Sequence, residues 1–151
     1  MDDRALVEAL AAAPRRLREL LGGRDDARTR RRRGEHDWSA AEILLHLRAS
    51  DAILASRIPL VLARPGIPLP GVDERAYGRV LERTGPSVAE QVEAFEARRR
   101  ELVAVLRALA PEEWETTGQH EELGAISVRG IVERIVEHEA EHLAQMEAAL
   151  R

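Results

Sequence analysis

The chain of 151 residues is 44% apolar and 33% charged, with a net charge of -4 and no cysteine. The missing cysteine excludes a disulfide framework, a thiolate metal site and a cysteine nucleophile together. All 23 basic residues are arginine, so Schiff-base chemistry is excluded and an anionic substrate must be met by arginine or by a metal.

Ala, Leu, Arg and Glu dominate, which predicts amphipathic helices and an all-α fold in one domain, residues 1–151. From Asp2 to Leu21, the residues Leu6, Leu10, Ala13, Leu17, Leu20 and Leu21 recur at helical spacing, and Gly22-Gly23 supplies a stop. Pro14 is expected to kink or divide this helix. Arg24 to Arg33 has no periodicity and reads as a solvated loop. Ser39 with Glu42 forms a capping box ahead of Ile43, Leu44, Leu47, Ile53, Leu54 and Ile58. Pro65 to Gly71 breaks that helix into an extended connection, and Asp73 caps a short helix reaching about Thr84. Ser87 with Glu90 repeats the capping box, with Val88, Val92, Phe95, Leu102, Val105, Leu106 and Leu109 as the apolar stripe and Arg98-Arg99-Arg100 as polar face. Pro111 ends this helix, and Glu112 to Ala125 reads as loop with one short helical turn. Ser127 opens the last helix, through Ile131, Ile135, His138, His142 and Leu150. Four long helices predict a four-helix bundle with long inter-helix connections.

No apolar stretch approaches the roughly 20 residues that span a bilayer. Met1-Asp2-Asp3-Arg4 does not begin a signal peptide. A cytoplasmic protein without a membrane partner is expected. The acidic balance disfavours nucleic acid as a partner, and the run Arg28-Thr29-Arg30-Arg31-Arg32-Arg33 lacks interleaved aromatic residues for stacking.

The segment His138-Glu139-Ala140-Glu141-His142 places two imidazoles on one helical face, about 6 Å apart along the axis. The spacing is that of the H-E-x-x-H string of zinc proteases, whose third ligand lies downstream. No histidine follows before Arg151, so a third ligand is expected from upstream, and His46 is the best candidate. On its helix His46 shares a face with Glu42, Ile43, Ala49, Ser50 and Ile53. Three neutral imidazoles suit Zn, Ni, Fe or Mn and leave positions open for water or substrate. Glu42, Glu139 and Glu141 are candidates for orienting an imidazole or accepting a proton, against readings as a capping residue and solvated helix charges. Gln145, one turn beyond His142, can hydrogen-bond near the site. His36 and His120 fall in predicted loops and read as surface residues.

These residues carry a resemblance. Trp38-Ser39-Ala40-Ala41-Glu42-Ile43-Leu44-Leu45-His46-Leu47 resembles the W-S-x-x-E-x-x-x-H-L segment of the DinB/YfiT-like superfamily. Gly71-Val72-Asp73, Phe95 with Arg98 or Arg99, Trp114 followed by His120 and Gly124, and His138 to Gln145 continue it in order, from about Glu35 to Leu150. The resemblance implies a four-helix bundle, usually a homodimer, with a divalent metal on His46, His138 and His142 and with His120 in a loop that borders the pocket without binding metal. It further implies a metal-dependent enzyme, either a transferase using a low-molecular-weight thiol or a hydrolase, acting on a small-molecule substrate. The alternative is a non-catalytic, metal-stapled bundle serving protein interaction.

Overall fold

Four capped helices organise the molecule, described by a computed structural model of residues 1–151. In chain order the elements are α1 (Asp3–Leu21), α2 (Asp26–Arg30), α3 (Ala40–Ala63), β1 (Pro68–Leu69), α4 (Glu74–Arg83), α5 (Val88–Ala108), α6 (Pro111–Trp114), β2 (Thr117–His120), β3 (Gly124–Ser127) and α7 (Val128–Ala149). Helices α1, α3, α5 and α7 form a four-helix bundle. Each begins on a polar side chain that accepts from a free backbone N–H of its first turn: Asp2, Ser39, Ser87 and Ser127. Both predicted capping boxes are formed, with Glu42 and Glu90 reaching back to the backbone N–H of Ser39 and Ser87.

The structure departs from several sequence expectations. Pro14 does not divide α1, which runs on to Leu21. Burial of Leu10, Ala13 and Leu17 on either side of it outweighs the lost hydrogen bond, because helices in proteins are held chiefly by packing. Within the expected loop at Arg24 to Arg33, Asp25 caps the short helix α2 by accepting from Arg28 N at 2.7 Å. α5 ends at Ala108, shortly before Pro111 as expected, and Pro111 also opens α6 at its first turn, a position where the missing N–H costs nothing. The segment from Glu112 to Ala125, expected to be loop with one short helical turn, supplies that turn in α6 but also holds β2 and the start of β3.

The sheet has the order β1-β2-β3. β1 runs parallel to β2, pairing Leu69 with His120, and β2 runs antiparallel to β3, pairing Thr117 with Ser127 and His120 with Gly124. Gly118 permits this close approach: a Cβ there would stand 2.9 Å from Leu69 Cδ1 and 2.9 Å from Val61 Cγ2.

The interior is divided. One apolar cluster joins Leu6 and Leu10 of α1 to Ile58, Leu102, Leu106, Trp114, Val132 and Ile135. The other joins Leu17 and Leu20 to Ile43, Leu44, Leu47, Phe95 and Met146. Between them lie buried Ser50 and Asp51 of α3, Arg99 of α5 and Glu139 of α7. Arg99 therefore does not belong to the polar face expected of Arg98-Arg99-Arg100. Val105, expected in the apolar stripe, is exposed.

Candidate metal centre

The most extensive helix packing is that of α3 against α7, and it brings His46 to His138 and His142. One ring nitrogen from each lies within 4.8 Å of the other two. His46 Nε2 is 3.0 Å from His138 Nε2. Ring centroids are separated by 5.0 Å for His46 and His138, 4.6 Å for His46 and His142, and 4.4 Å for His138 and His142. His142 Nδ1 donates to Gln145 Oε1 at 2.8 Å, which places the hydrogen on Nδ1 and leaves the Nε2 lone pair free.

Trp38 closes one side, its ring 5.1 Å from that of His46 and stacked 6.2 Å from that of His142. Arg75, in the first turn of α4, lies 5.7 Å over the Trp38 ring. Ser50 Oγ is 3.4 Å from His46 Nε2.

Burial, reinforced by the neighbouring His142 and His138, pushes the His46 imidazole down to about 4. Burial and His142 also lower His138, while the carboxylates of Glu74 and Glu141 oppose the shift. Both rings are therefore neutral at neutral pH, the form that binds metal. A first-row ion takes imidazole nitrogen at about 2.0–2.1 Å, and three ring nitrogens within 4.8 Å of one another can surround one such ion. Two Nε2 atoms face one another at 3.0 Å, an arrangement that calls for a proton or a cation between them. The residues fit a divalent ion.

Other candidates lie elsewhere. Glu42 accepts from Ser39 N at 2.8 Å and from Arg32 Nε at 3.0 Å. Burial works to raise its pKa, but the hydrogen bonds from Arg32 and Ser39 prevail and lower it. Its capping role holds, and its carboxylate has no imidazole partner. Glu139 is neither a solvated charge nor a partner of the histidines. Successive helical residues diverge by about 100°, so beside His138 it turns inward, where Arg99 Nη1 donates to Glu139 Oε2 at 2.6 Å. Burial pushes this carboxyl up to about 7 despite Arg99. His120 ends β2, and its Nδ1 accepts from Glu122 N at 3.1 Å and Leu123 N at 3.2 Å. It closes the hairpin turn. His36 is exposed. The arginine run is not a free solvated loop: Arg28 donates to the carbonyls of Leu150 and Arg151, Arg33 to that of Ala148, and Arg32 pairs with Glu42. It ties the end of α7, where carbonyl groups lack partners, to the start of α3.

Sequence reasoning missed Glu74, Asp51 and Arg99. Glu74 stands in the first turn of α4, close enough for its charge to be felt at His46 and His138; no periodicity marks it. Arg99 carries a signal that was available. It sits four residues after Phe95, three before Leu102 and seven before Leu106, inside the apolar stripe.

Similarity to known proteins agrees with this geometry. A family profile described as the DinB superfamily matches residues 9–146. A protein of Oceanobacillus iheyensis that carries the provisional name of metal-dependent hydrolase is 24% identical over 135 residues, covering 89% of this chain and 78% of its own. YfiT from Bacillus subtilis, described as a probable metal-dependent hydrolase with an unusual four-helix bundle topology, superposes with a TM-score of 0.86 at 16% identity. That match covers 97% of this chain and 85% of YfiT.

Proposed function

The chain belongs to the DinB superfamily, and on that footing we propose that it is a metal-dependent enzyme that hydrolyses a small molecule at a divalent ion held by His46, His138 and His142. The observation that carries this reading is the convergence of three imidazole nitrogens from α3 and α7 within 4.8 Å. When bound, a Zn, Ni, Fe or Mn ion supplies Lewis acidity toward a carbonyl or phosphoryl oxygen and a nucleophile at neutral pH. The name borne by the Oceanobacillus relative supports hydrolysis over thiol transfer.

The chain's own residues have distinct tasks. His46 and His138 stay neutral and present Nε2, and Gln145 orients His142 through its Nδ1–H. Trp38 walls one side against water. Glu42 and Glu139 are each committed to an arginine, which leaves Glu74 and Glu141, the carboxylates whose charge reaches the imidazoles, to hold or move a proton beside the ion.

The test is turnover of small esters, amides and phosphoesters by metal-loaded and chelator-treated protein, with and without an added low-molecular-weight thiol. Hydrolysis that requires the ion and not the thiol supports the reading. Turnover only with thiol overturns it in favour of S-transfer. Of Glu74→Gln and Glu141→Gln, at least one should retain the ion yet lose about 10²–10⁴-fold in turnover.

A further inference from the structure

The polar layer between the two apolar clusters is built around a single guanidinium. Arg99, 1% exposed, donates through Nη2 to Asp51 Oδ1 at 2.8 Å and through Nη1 to Glu139 Oε2 at 2.6 Å and to the Leu10 carbonyl at 3.2 Å. Asp51 and Glu139 are 4% and 5% exposed. One side chain of α5 thereby joins α3, α7 and α1.

Asp51 lies five residues after His46, about 7.5 Å along α3, and Glu139 directly follows His138. The α3–α7 seam is thus flanked by the three imidazoles on one side and by the Arg99 bridge on the other, offset by no more than about one and a half helical turns. Elsewhere the seam is aliphatic, with Ile43, Leu44, Leu47 and Ile58 on α3 and Ile131, Ile135 and Met146 on α7. Apolar contact is non-directional and does not by itself fix how far one helix slides along another. A single buried polar layer does, and register is the best-attested use of such groups.

The network is not fully satisfied. Arg99 Nε has no hydrogen-bond partner, and Glu139 Oε1 meets only the charge of Arg99 Nη1, at 2.5 Å, without hydrogen-bond geometry. Buried ionic groups of this kind are often no more stable than apolar residues of the same volume. Defined geometry is the role such a layer is best known to serve.

We propose that Arg99 is a positioning residue for the three-histidine centre: by bridging Asp51 and Glu139 it fixes the register of α3 against α7 and so the spacing of His46 from His138 and His142. The proposal rests on the metal reading above. Removing Arg99 alone strands two buried carboxylates, so the test variant replaces the whole layer, Asp51→Leu with Arg99→Met and Glu139→Leu, a kind of exchange folded proteins tolerate.

Co(II) affinity by chelator competition and the Co(II) d–d spectrum are measured on the wild type and on this variant. A folded variant with affinity weakened by about 10-fold or more and an altered spectrum is the expected result. Wild-type affinity and spectrum in the folded variant would overturn the proposal. A second measurement needs only the wild-type protein. Coupling between ion and bridge is reciprocal, so Zn(II) should slow hydrogen exchange at Arg99 Nε–H more than at the Phe95 backbone amide, one turn away on α5. Equal slowing at both overturns the proposal even where the variant does not fold. Wild-type protein that takes up neither Co(II) nor Zn(II) defeats the metal reading itself, whereas metal uptake with an indifferent Arg99 defeats only the positioning role.

Discussion

His46 and Glu139 lie on opposite sides of one helical seam, and burial shifts both toward their neutral forms with opposite consequences for stability. The His46 imidazole titrates at about 4 in the fold against 6.5 for an ordinary histidine. Between those values the unfolded chain binds more protons, so stability is lost as pH falls through that window. Glu139 titrates at about 7 against 4.5. There the folded state binds more protons, so its contribution is present below 4.5 and is lost as pH rises through 7. Glu139→Gln removes only the second dependence. In metal-free protein, thermal melts should therefore show the parent gaining on this variant as pH falls from about 7 to 4.5; parallel profiles would contradict the assignment. At this scale the three clustered histidines were legible in the sequence because an i,i+4 histidine pair and a histidine on a second apolar face are local patterns. The role of Glu139 was not. A carboxylate at a helix position reads as solvated until its partner, Arg99, 40 residues away in sequence, is known.

The helices were legible because their caps and periodicities are written in adjacent residues. Ser39-Glu42 and Ser87-Glu90 locate two starts without any tertiary information. The strands were not legible. β1 has two residues and β2 and β3 four each, and Thr117-Gly118-Gln119-His120 has no apolar alternation to announce a strand. Their register depends on tertiary contacts instead, above all on Gly118 lying against Leu69 and Val61. Gly118→Ala should destabilise the protein by about 1–3 kcal/mol through overpacking, measured by denaturant unfolding. A variant as stable as the parent would show that β2 does not rest on β1 and α3 as described. The arginine run shows the same dependence on distant partners: composition marks it as polar, but only the folded chain brings Arg28 and Arg33 to the carbonyls ending α7.

Over the whole molecule, two aliphatic clusters enclose one ionic layer, and the three imidazoles lie beside that layer where α3 and α7 meet. The bundle architecture follows from four amphipathic segments, and the centre from two of them facing each other. What sequence periodicity could not supply is the depth at which polar residues pack, because burial is decided by the partner helix. The central claim is that His46 and the His138–His142 pair hold one ion between them. Elemental analysis of untagged protein prepared without chelator, beside His46→Ala and His138→Ala, tests it most directly. The account predicts about one divalent ion per wild-type chain and loss of it in both variants. A wild-type protein that stays metal-free after reconstitution with Zn, Ni, Mn and Fe(II), or variants that keep a full complement of metal, would contradict it.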